Sequence, residues 1–156
     1  MLRLIPAPLF RQALRVAHKV RHQWRKWRGV TPPGVCVIAR DLEGQVLLVR
    51  HSYGPPGWYI PGGGLKRGEN PEDAARRELR EETGCEIDGL NPLGEVHEIL
   101  SGAPHMAHVF TGVVDDMPRP DGREVVEARF FPTHSLPEPL APSARRRLEV
   151  YTKRRS

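Results

Sequence analysis

Three glutamates in one short segment have the spacing expected of a metal site. The segment, residues 63–85, reads GGLKRGENPEDAARRELREETGC. Each residue of an α-helix turns the chain by about 100°, so Glu78, Glu81 and Glu82 fall within an arc of about 100° on one face. Carboxylates this close repel one another, and a hard cation with oxygen ligands best explains the cluster. The pattern favours Mg²⁺, with Mn²⁺ as a substitute, at a site open to phosphate.

The ends of the helix that carries these glutamates are marked in the sequence. Asn70 is a capping residue type, Pro71 suits the first turn, and Gly84 suits the position after the last turn. Ala75 and Leu79 lie to one side of the acidic arc and provide an apolar surface. The segment therefore predicts a helix that packs on a sheet and presents its acidic face elsewhere.

A glycine-rich turn precedes this helix at residues 61–64, which read PGGG. Residues without side chains let the backbone approach another group closely, and such turns can offer N–H groups to anions or a carbonyl oxygen to a metal. An ordinary tight turn has the same composition. The neighbouring glutamates decide the interpretation in favour of a binding site.

The whole segment resembles the signature of the Nudix hydrolase family. That signature is Gly, five residues, Glu, seven residues, Arg-Glu, an apolar residue, any residue, Glu-Glu, any residue, Gly and an apolar residue. Its positions are filled here by Gly63, Glu69, Arg77, Glu78, Leu79, Glu81, Glu82, Gly84 and Cys85. Cys85 replaces a residue that is more often aliphatic, and a buried thiol behaves as a small hydrophobe.

The resemblance implies a role for each matching position. Backbone and carboxylate oxygens would bind the cation, from Gly62, Glu78, Glu81 and Glu82. Glu69 and Arg77 would orient those ligands, as the groups surrounding a metal site generally do. Arg77 also stands four residues before Glu81, where an ordinary helix ion pair is expected, and the two roles are compatible.

Two further glutamates are candidates for the reaction itself. Glu124 lies where the family often carries a late catalytic glutamate just before an edge strand, and Glu127 is the competing position. For either residue, a surface ion pair is the alternative to catalysis.

Residues outside the signature are candidates for binding the substrate. Arg50 and Lys66 could meet phosphate, and Tyr53 could stack on a base, although each could equally be a surface residue. Trp58 is expected to belong to the core. The histidines show no zinc-like spacing with the two cysteines.

Hydrophobic patterning predicts the remaining elements. Strands are expected at residues 35–39, 46–50, 94–100, 106–114 and 125–131, with a turn at 41–44 and a short extended piece at 58–60. A C-terminal helix is expected to be capped by Ser143, with residues 145–147 mostly in solvent. These elements indicate the α/β class. The resemblance, which covers residues 33–152 loosely and 61–85 tightly, implies a Nudix-type α/β/α sandwich with a mixed sheet.

Basic charge is concentrated at the N-terminus. The first 40 residues contain nine Lys/Arg and no Asp/Glu, whereas the remainder contains fifteen Lys/Arg and nineteen Asp/Glu. Apolar residues, including Trp24 and Trp27, recur among these basic residues at helical spacing. We therefore expect a basic amphipathic helix at residues 1–29, followed by a Nudix hydrolase domain at residues 30–156.

Several roles are open to this helix. It could pack on its own domain or on a second subunit in a homodimer, contact an anionic membrane or RNA through residues 1–28, or serve as a targeting presequence. Arginines interrupt its apolar face, which argues against a secretory signal. Two cysteines cannot form a disulfide framework, and no apolar run reaches eighteen residues, so we expect a soluble, cytoplasmic protein.

The resemblance implies a Mg²⁺-dependent pyrophosphohydrolase. Its substrate would be a nucleoside diphosphate linked to another moiety, such as an ADP-ribose-like compound or a nucleotide sugar, cleaved to a nucleoside monophosphate and the phosphorylated moiety. Hydrolysis at RNA 5′ ends is an alternative that the basic N-terminus favours. A non-catalytic binding or membrane-associated module is a third hypothesis, and the intact pair Glu81 and Glu82 argues against it.

Overall fold

The computed structural model describes residues 6–28, 32–100 and 102–155, and it describes side chains there except for those of residues 18–28. The helices and strands follow one another as α1 (Ala7–Arg28), β1 (Gly34–Arg40), β2 (Val46–His51), β3 (Gly62–Gly64), α2 (Pro71–Thr83), β4 (Asp88–Leu100), β5 (Ala103–Val113), β6 (Val125–Phe131) and α3 (Pro142–Lys153).

The strands form one mixed sheet in the order β4-β5-β1-β2-β6, with β3 paired to β1. The β1 and β5 strands run parallel, and the other pairs are antiparallel. The β6 strand, which follows Glu124, lies at one edge. The predicted mixed sheet is therefore confirmed.

The two faces of the sheet are covered by different helices. Alternate β1 residues point to opposite faces. Val35 and Val37 join a buried cluster that contains Leu79 of α2, whereas Cys36 and Ile38 join a cluster that contains Leu148 of α3. The predicted α/β/α sandwich is confirmed, with α2 on one face and α3 on the other.

Two strands begin earlier than the hydrophobic pattern indicates. The β4 strand begins at Asp88 rather than near Gly94, and β5 begins at Ala103. Gly89, Pro92 and Gly94 weaken the strand signal in this part of β4. The structure accommodates them with two register shifts against β5, between Asp88 and Asn91 and between Pro92 and Gly94.

The beginning of α3 differs from the prediction. The capping position is Ala141, which makes no side-chain capping hydrogen bond, and Pro142 occupies the first turn. The prediction that Ser143 caps the helix was wrong because Pro142, whose fixed φ suits a first turn, starts the helix two residues earlier, with Ala141 at the capping position.

The β3 strand is the glycine turn of the sequence. Gly62 pairs with Cys36, and a Cβ added at Gly62 would lie 2.1 Å from the Val35 carbonyl oxygen. A Cβ at Gly63 would lie 2.5 Å from the Glu78 carboxylate. The close backbone approach predicted for this turn is confirmed at both glycines.

The first half of α1 contacts the rest of the domain through two arginines. Arg11 Nε donates to the carbonyl of Gly122 at 2.8 Å, and Arg15 Nε donates to the carbonyl of Ser52 at 3.1 Å. Phe10 lies 5.3 Å from the Arg123 guanidinium. The helix therefore contacts the turn before β6 and the end of β2.

Other predictions about the N-terminus are not tested by these contacts. The side chains of Trp24 and Trp27, and the predicted domain boundary between residues 29 and 30, lie outside the described residues. Within the described ranges, α1 and the other helices all lack an apolar stretch that could cross a membrane.

Substitution of Gly62 is expected to destabilise the protein. In Gly62→Ala the new methyl group would overlap the β1 backbone, so β3 must separate from β1 at a cost of at least about 2 kcal/mol. Gly64→Ala is the matched control, because a Cβ there meets nothing within 4 Å. Urea unfolding would measure both variants, and equal stabilities would contradict the close approach of β3 to β1.

Loss of the two arginine contacts is expected to loosen α1. Hydrogen exchange measured by mass spectrometry should become faster in α1 and in residues 122–125 when Arg11 and Arg15 are both replaced by Ala. Gln12→Ala, an exposed change on the same helix, should leave exchange unchanged. Unchanged exchange in the double variant would show that these contacts do not hold the helix in place.

Candidate active site

Helix α2 is built as its sequence predicts. The Asn70 side chain accepts a hydrogen bond from the Glu72 N–H at 2.8 Å, and Pro71 occupies the first turn. At the other end, Gly84 has a φ of 72° and donates its N–H to the carbonyl of Arg80. The helix therefore begins and ends where the prediction placed it, and this fixes the direction of its acidic face.

Glu82 is the most enclosed of the three predicted ligands. Its side chain is 7% exposed, and its Oε2 accepts a hydrogen bond from the Gly62 N–H at 2.9 Å. Burial raises the pKa of Glu82 well above its usual value, and the negative charges of Glu78, Glu124 and Glu81 raise it further, against the hydrogen bond from Gly62. The carboxylate is thus held in an environment that opposes its ionisation.

Glu78 shares this environment. Its side chain is 14% exposed, and burial is the largest influence raising its pKa, opposed by its contact with Arg77. The charges of Glu81 and Glu124 raise the pKa of Glu78 further. The charges of Glu81 and Glu124 therefore act on both enclosed carboxylates beside β3, and a cation placed there would relieve this repulsion.

Arg77 connects the acidic groups. Its Nε and Nη2 donate to the two oxygens of Glu69 at 2.7 and 2.9 Å, and its Nη1 donates to Glu78 at 2.8 Å and to Glu81 at 3.2 Å. Its Nη2 also reaches the Gly64 carbonyl at 3.1 Å. One guanidinium therefore ties the glycine turn to the helix.

Glu69 completes this connection. The hydrogen bonds from Arg77, followed by that from the Lys66 N–H, lower the pKa of Glu69 to about 2. Glu69 is therefore ionised at any pH near neutrality and keeps Arg77 in place. The structure brings Glu69 and Arg77 to the positions from which they could orient the predicted ligands, and it also contains the predicted ion pair of Arg77 with Glu81.

The Gly62 backbone has the orientation that a ligand at this position needs. Its neighbour Pro61 accepts a hydrogen bond from Val37 of β1. Because adjacent residues of a strand point their polar groups in opposite directions, the N–H and carbonyl of Gly62 turn away from β1. The N–H already meets Glu82, and the carbonyl shares that side of the strand.

Glu124 and Glu127 have different surroundings. The Ser52 N–H donates to the Glu124 carbonyl at 2.9 Å, and a register shift between Arg50 and His51 marks an irregularity in the pairing of β2 with β6 beside it. The Glu124 carboxylate raises the pKa of both Glu78 and Glu82. Glu127 instead pairs with Arg50 at 3.5 Å. Glu124 is therefore the glutamate that the fold brings to the acidic group.

The three predicted substrate-binding residues are dispersed. Arg50 pairs with Glu127 and lies 5.6 Å from the ring of Trp58, which belongs to the core on the α3 face. The structure does not bring Arg50 to the glutamates, because alternate residues of β2 point to opposite faces. Lys66 is exposed, and only its backbone N–H meets Glu69, at 2.8 Å.

Tyr53 lines a cavity of about 520 Å³. Tyr59 and Arg146 also line this cavity. A neighbouring cavity of about 240 Å³ is lined by Gly62–Gly64 and shares His51 and Tyr59 with the larger one. The glycine turn and the aromatic side chains therefore face one continuous cleft.

Two parts of this cleft were not identified from the sequence. His51 Nε2 lies 4.0 Å from Glu82 Oε1, and its ring is 5.2 Å from each of the rings of Tyr53 and Tyr59. Alternate residues of a strand point to opposite faces, so the odd-numbered positions of β2, which include Leu47 on the α2 face, could have indicated from the sequence that His51 also lies on that face.

The second part contains arginines that were expected in solvent. That expectation was wrong for Arg147, whose side chain is 13% exposed and pairs with Glu98 at 2.9 Å. Glu98 lies on β4, 49 residues earlier in the chain, so only the packing of α3 against the sheet reveals the pair.

No group of three His, Cys, Asp or Glu side chains within the described ranges is already arranged around a point that could hold an ion. The donor set nevertheless fits a divalent cation. Two enclosed carboxylates with raised pKa values, a third on the same helix face and a carbonyl turned toward them provide the oxygen atoms that hard cations prefer.

The fold is a mixed sheet between two helix layers with an acidic group beside its glycine turn, and sequence comparison identifies its family. A family model described as the NUDIX domain matches residues 30–151. The chain belongs to the NUDIX family, as its resemblance to the signature predicted.

Similar proteins match shorter parts of the chain. The RNA pyrophosphohydrolase of Saccharophagus degradans is 44% identical over 57 residues, which are 36% of this chain and 34% of that protein. Diphosphoinositol polyphosphate phosphohydrolase 3-alpha of Mus musculus is 36% identical over 90 residues, 57% of this chain and 54% of that protein. The chain thus spans about a third to a half of the length of these curated relatives.

Solved structures share the fold over most of the chain. A MutT NUDIX hydrolase from Burkholderia pseudomallei has a TM-score of 0.66 and 28% identity, covering 76% of this chain and 98% of that one. The NUDIX domain of Shewanella oneidensis NrtR, solved with ADP ribose, has a TM-score of 0.72 and 20% identity, and the match covers 81% of this chain and 90% of that one. The second likeness shows the fold alone.

The enclosed position of Glu82 gives a test that needs no substrate. Because its pKa is raised in the folded state, the folded protein binds this proton more tightly than the unfolded chain does, and stability falls as pH rises above the usual carboxyl pKa. In the presence of a chelator, Glu82→Gln should therefore increase the free energy of unfolding, measured with urea, at pH 7.5. The increase should be smaller at pH 4.5. Glu81→Gln, at a side chain 56% exposed, is the control. A gain that does not change with pH would contradict the burial of the Glu82 charge.

Proposed function

We propose that this chain is a metal-dependent pyrophosphohydrolase that cleaves the diphosphate of a nucleoside diphosphate linked to another moiety. The products would be a nucleoside monophosphate and the phosphorylated moiety. The observation that carries this proposal is the pair of enclosed glutamates beside the glycine turn, Glu78 and Glu82, whose pKa values are raised by burial and by the charge of Glu124.

The cation in this proposal is Mg²⁺, with Mn²⁺ as a substitute. Oxygen atoms from four residues would hold it, namely Gly62, Glu78, Glu81 and Glu82. When bound, it would neutralise negative charge on the phosphate oxygens of the substrate. Glu69 and Arg77 keep two of these carboxylates in place, because the guanidinium contacts both Glu78 and Glu81.

The protein's own groups would perform the remaining steps. Glu124 is exposed and raises the pKa of both Glu78 and Glu82, and these observations support a role for its carboxylate in accepting a proton from the attacking water. Tyr53 and Tyr59 line the larger cavity, where a nucleobase could stack on an aromatic ring. The moieties on the two sides of the diphosphate would then occupy different parts of the cleft.

Substrate comparison tests the proposal directly. ADP-ribose, nucleotide sugars and dinucleoside polyphosphates would be incubated with the protein and Mg²⁺ or Mn²⁺, and the products separated by chromatography. Glu82→Gln should lower kcat/KM by at least about 100-fold, because a cation ligand is lost. Equal product release by wild type and variant would refute the proposal.

A matched pair of variants tests the role of Glu124. Glu124→Gln should lower kcat by about 100-fold or more, since the group that accepts the proton is removed. Glu127→Gln, three residues along the chain and paired with Arg50, should keep activity within about twofold. If the two variants lost activity equally, Glu124 would have no special role.

Hydrolysis at RNA 5′ ends is a second candidate function. Two observations favour it: several similar proteins carry the name RNA pyrophosphohydrolase, and α1, the basic helix, contacts Ser52, next to Tyr53 of the cleft. RNA bound through α1 should lose affinity steeply with salt, and Arg21, Arg25 and Arg28 replaced by Gln should flatten that dependence. A membrane contact of residues 1–28, a homodimer and a cytoplasmic location stay predictions.

A further inference from the structure

A buried ion cluster of Glu98, Arg146, Arg147 and His105 lies beside the cleft. The carboxylate of Glu98, 1% exposed, accepts hydrogen bonds from Arg146 Nε and Nη2 at 3.0 and 2.9 Å and from Arg147 Nη2 at 2.9 Å. His105 Nδ1 lies 3.5 Å from the same carboxylate. Burial would raise the pKa of Glu98, but the two guanidiniums outweigh it and lower that pKa.

The cluster carries more positive than negative charge. Two guanidiniums, which do not lose their protons in proteins, share one ionised carboxylate. Arg147 is 13% exposed, and its Nε is a buried atom that finds no hydrogen-bond partner among the described residues. Arg146 is 43% exposed, so water can compensate its charge. The buried Arg147 Nε is therefore the donor of this cluster that an anion in the adjoining cavity could satisfy.

Both arginines face the cleft. Arg147 lines the smaller cavity together with Gly62–Gly64, and Arg146 lines the larger cavity together with Tyr53 and Tyr59. The smaller cavity, of about 240 Å³, thus has the glycine turn beside the glutamates on one side and a guanidinium on the other. A diphosphate held at the glutamates through one phosphoryl group would direct its second group toward Arg147.

The start of α3 adds to this positive region. Ser143, in its first turn, lines both cavities, and Ala141 makes no side-chain capping hydrogen bond. The first N–H groups of a helix have no partner within it and carry partial positive charge. This effect supports the arginines and would not by itself define a site.

We propose that Arg147, held in place by Glu98 beside Arg146, forms an anion subsite that binds the second phosphoryl group of the substrate diphosphate and makes the protein selective for diphosphates over monophosphates. This inference rests on the proposed function. Arg147 would contact the phosphoryl group from the smaller cavity. Arg146 would line the larger cavity, which contains Tyr53 and Tyr59, and Glu98 would hold both arginines in place.

Direct binding tests the subsite without turnover. The probe is the methylene-bridged analogue of ADP, which cannot be cleaved at the bridge, compared with AMP by calorimetry in the presence of Mg²⁺. Arg147→Ala should weaken binding of the analogue by about 10- to 100-fold, the range for hydrogen bonds to charged groups. Binding of AMP should change by less than about threefold, so the selectivity of the wild-type protein would be lost.

Two further variants separate the subsite from a structural effect. Arg145→Ala changes the neighbouring arginine, which is 55% exposed and pairs with Glu138, and should leave both affinities unchanged. Arg147→Lys keeps the charge but loses the planar fork, so its affinity for the analogue should lie between those of wild type and Arg147→Ala. It also tests the subsite if Arg147→Ala does not fold.

The outcomes distinguish this inference from the proposed function. Wild-type affinity of Arg147→Ala or, if that variant does not fold, of Arg147→Lys for the analogue would overturn the subsite, and so would an equal loss in Arg145→Ala. Hydrolysis by wild type compared with Glu82→Gln tests the activity separately. If no nucleotide were hydrolysed while analogue binding still depended on Arg147, the subsite would stand and the enzymatic function would fall.

Discussion

Repulsion among enclosed carboxylates is the constraint on which the rest of this structure depends. Glu78 and Glu82 lie one turn apart on α2, largely withdrawn from water, with the charges of Glu81 and Glu124 acting on both. The fold offsets this cost with a backbone N–H from Gly62 and the guanidinium of Arg77. These compensations are partial, since the pKa values of Glu78 and Glu82 remain raised, and a cation would complete them.

The acidic region and a basic one come from helices on different faces of the sheet and meet beside one cleft. Helix α2 covers one face and supplies Glu78, Glu81 and Glu82, whereas α3 covers the other and supplies Arg146 and Arg147, which line the cleft. Period-two alternation along β2 decides which side chains reach which face, so His51 meets Glu82 while Arg50 turns to Trp58. The charge asymmetry of the cleft thus follows from the layer order of the fold.

Helix α1 extends this arrangement beyond the sandwich. Its arginines Arg11 and Arg15 bond to backbone carbonyls at the turn before β6 and at the end of β2. These are the two segments that hold Glu124 and His51. Of the roles considered for the basic helix, packing on its own domain is supported by these two contacts, which are made by the first half of α1 and lie beside the cleft.

The sequence by itself determined the local features: the limits of α2, the glycine turn and the position of the apolar strand β1. Each depends on residues close together in the chain, where capping and backbone conformation act. The approach of Glu124 to Glu78 and Glu82, the position of Arg50 and the burial of Arg147 were decided only by tertiary structure. Glu98 and Arg147 are 49 residues apart, and a charged side chain is buried only where folding brings it a partner.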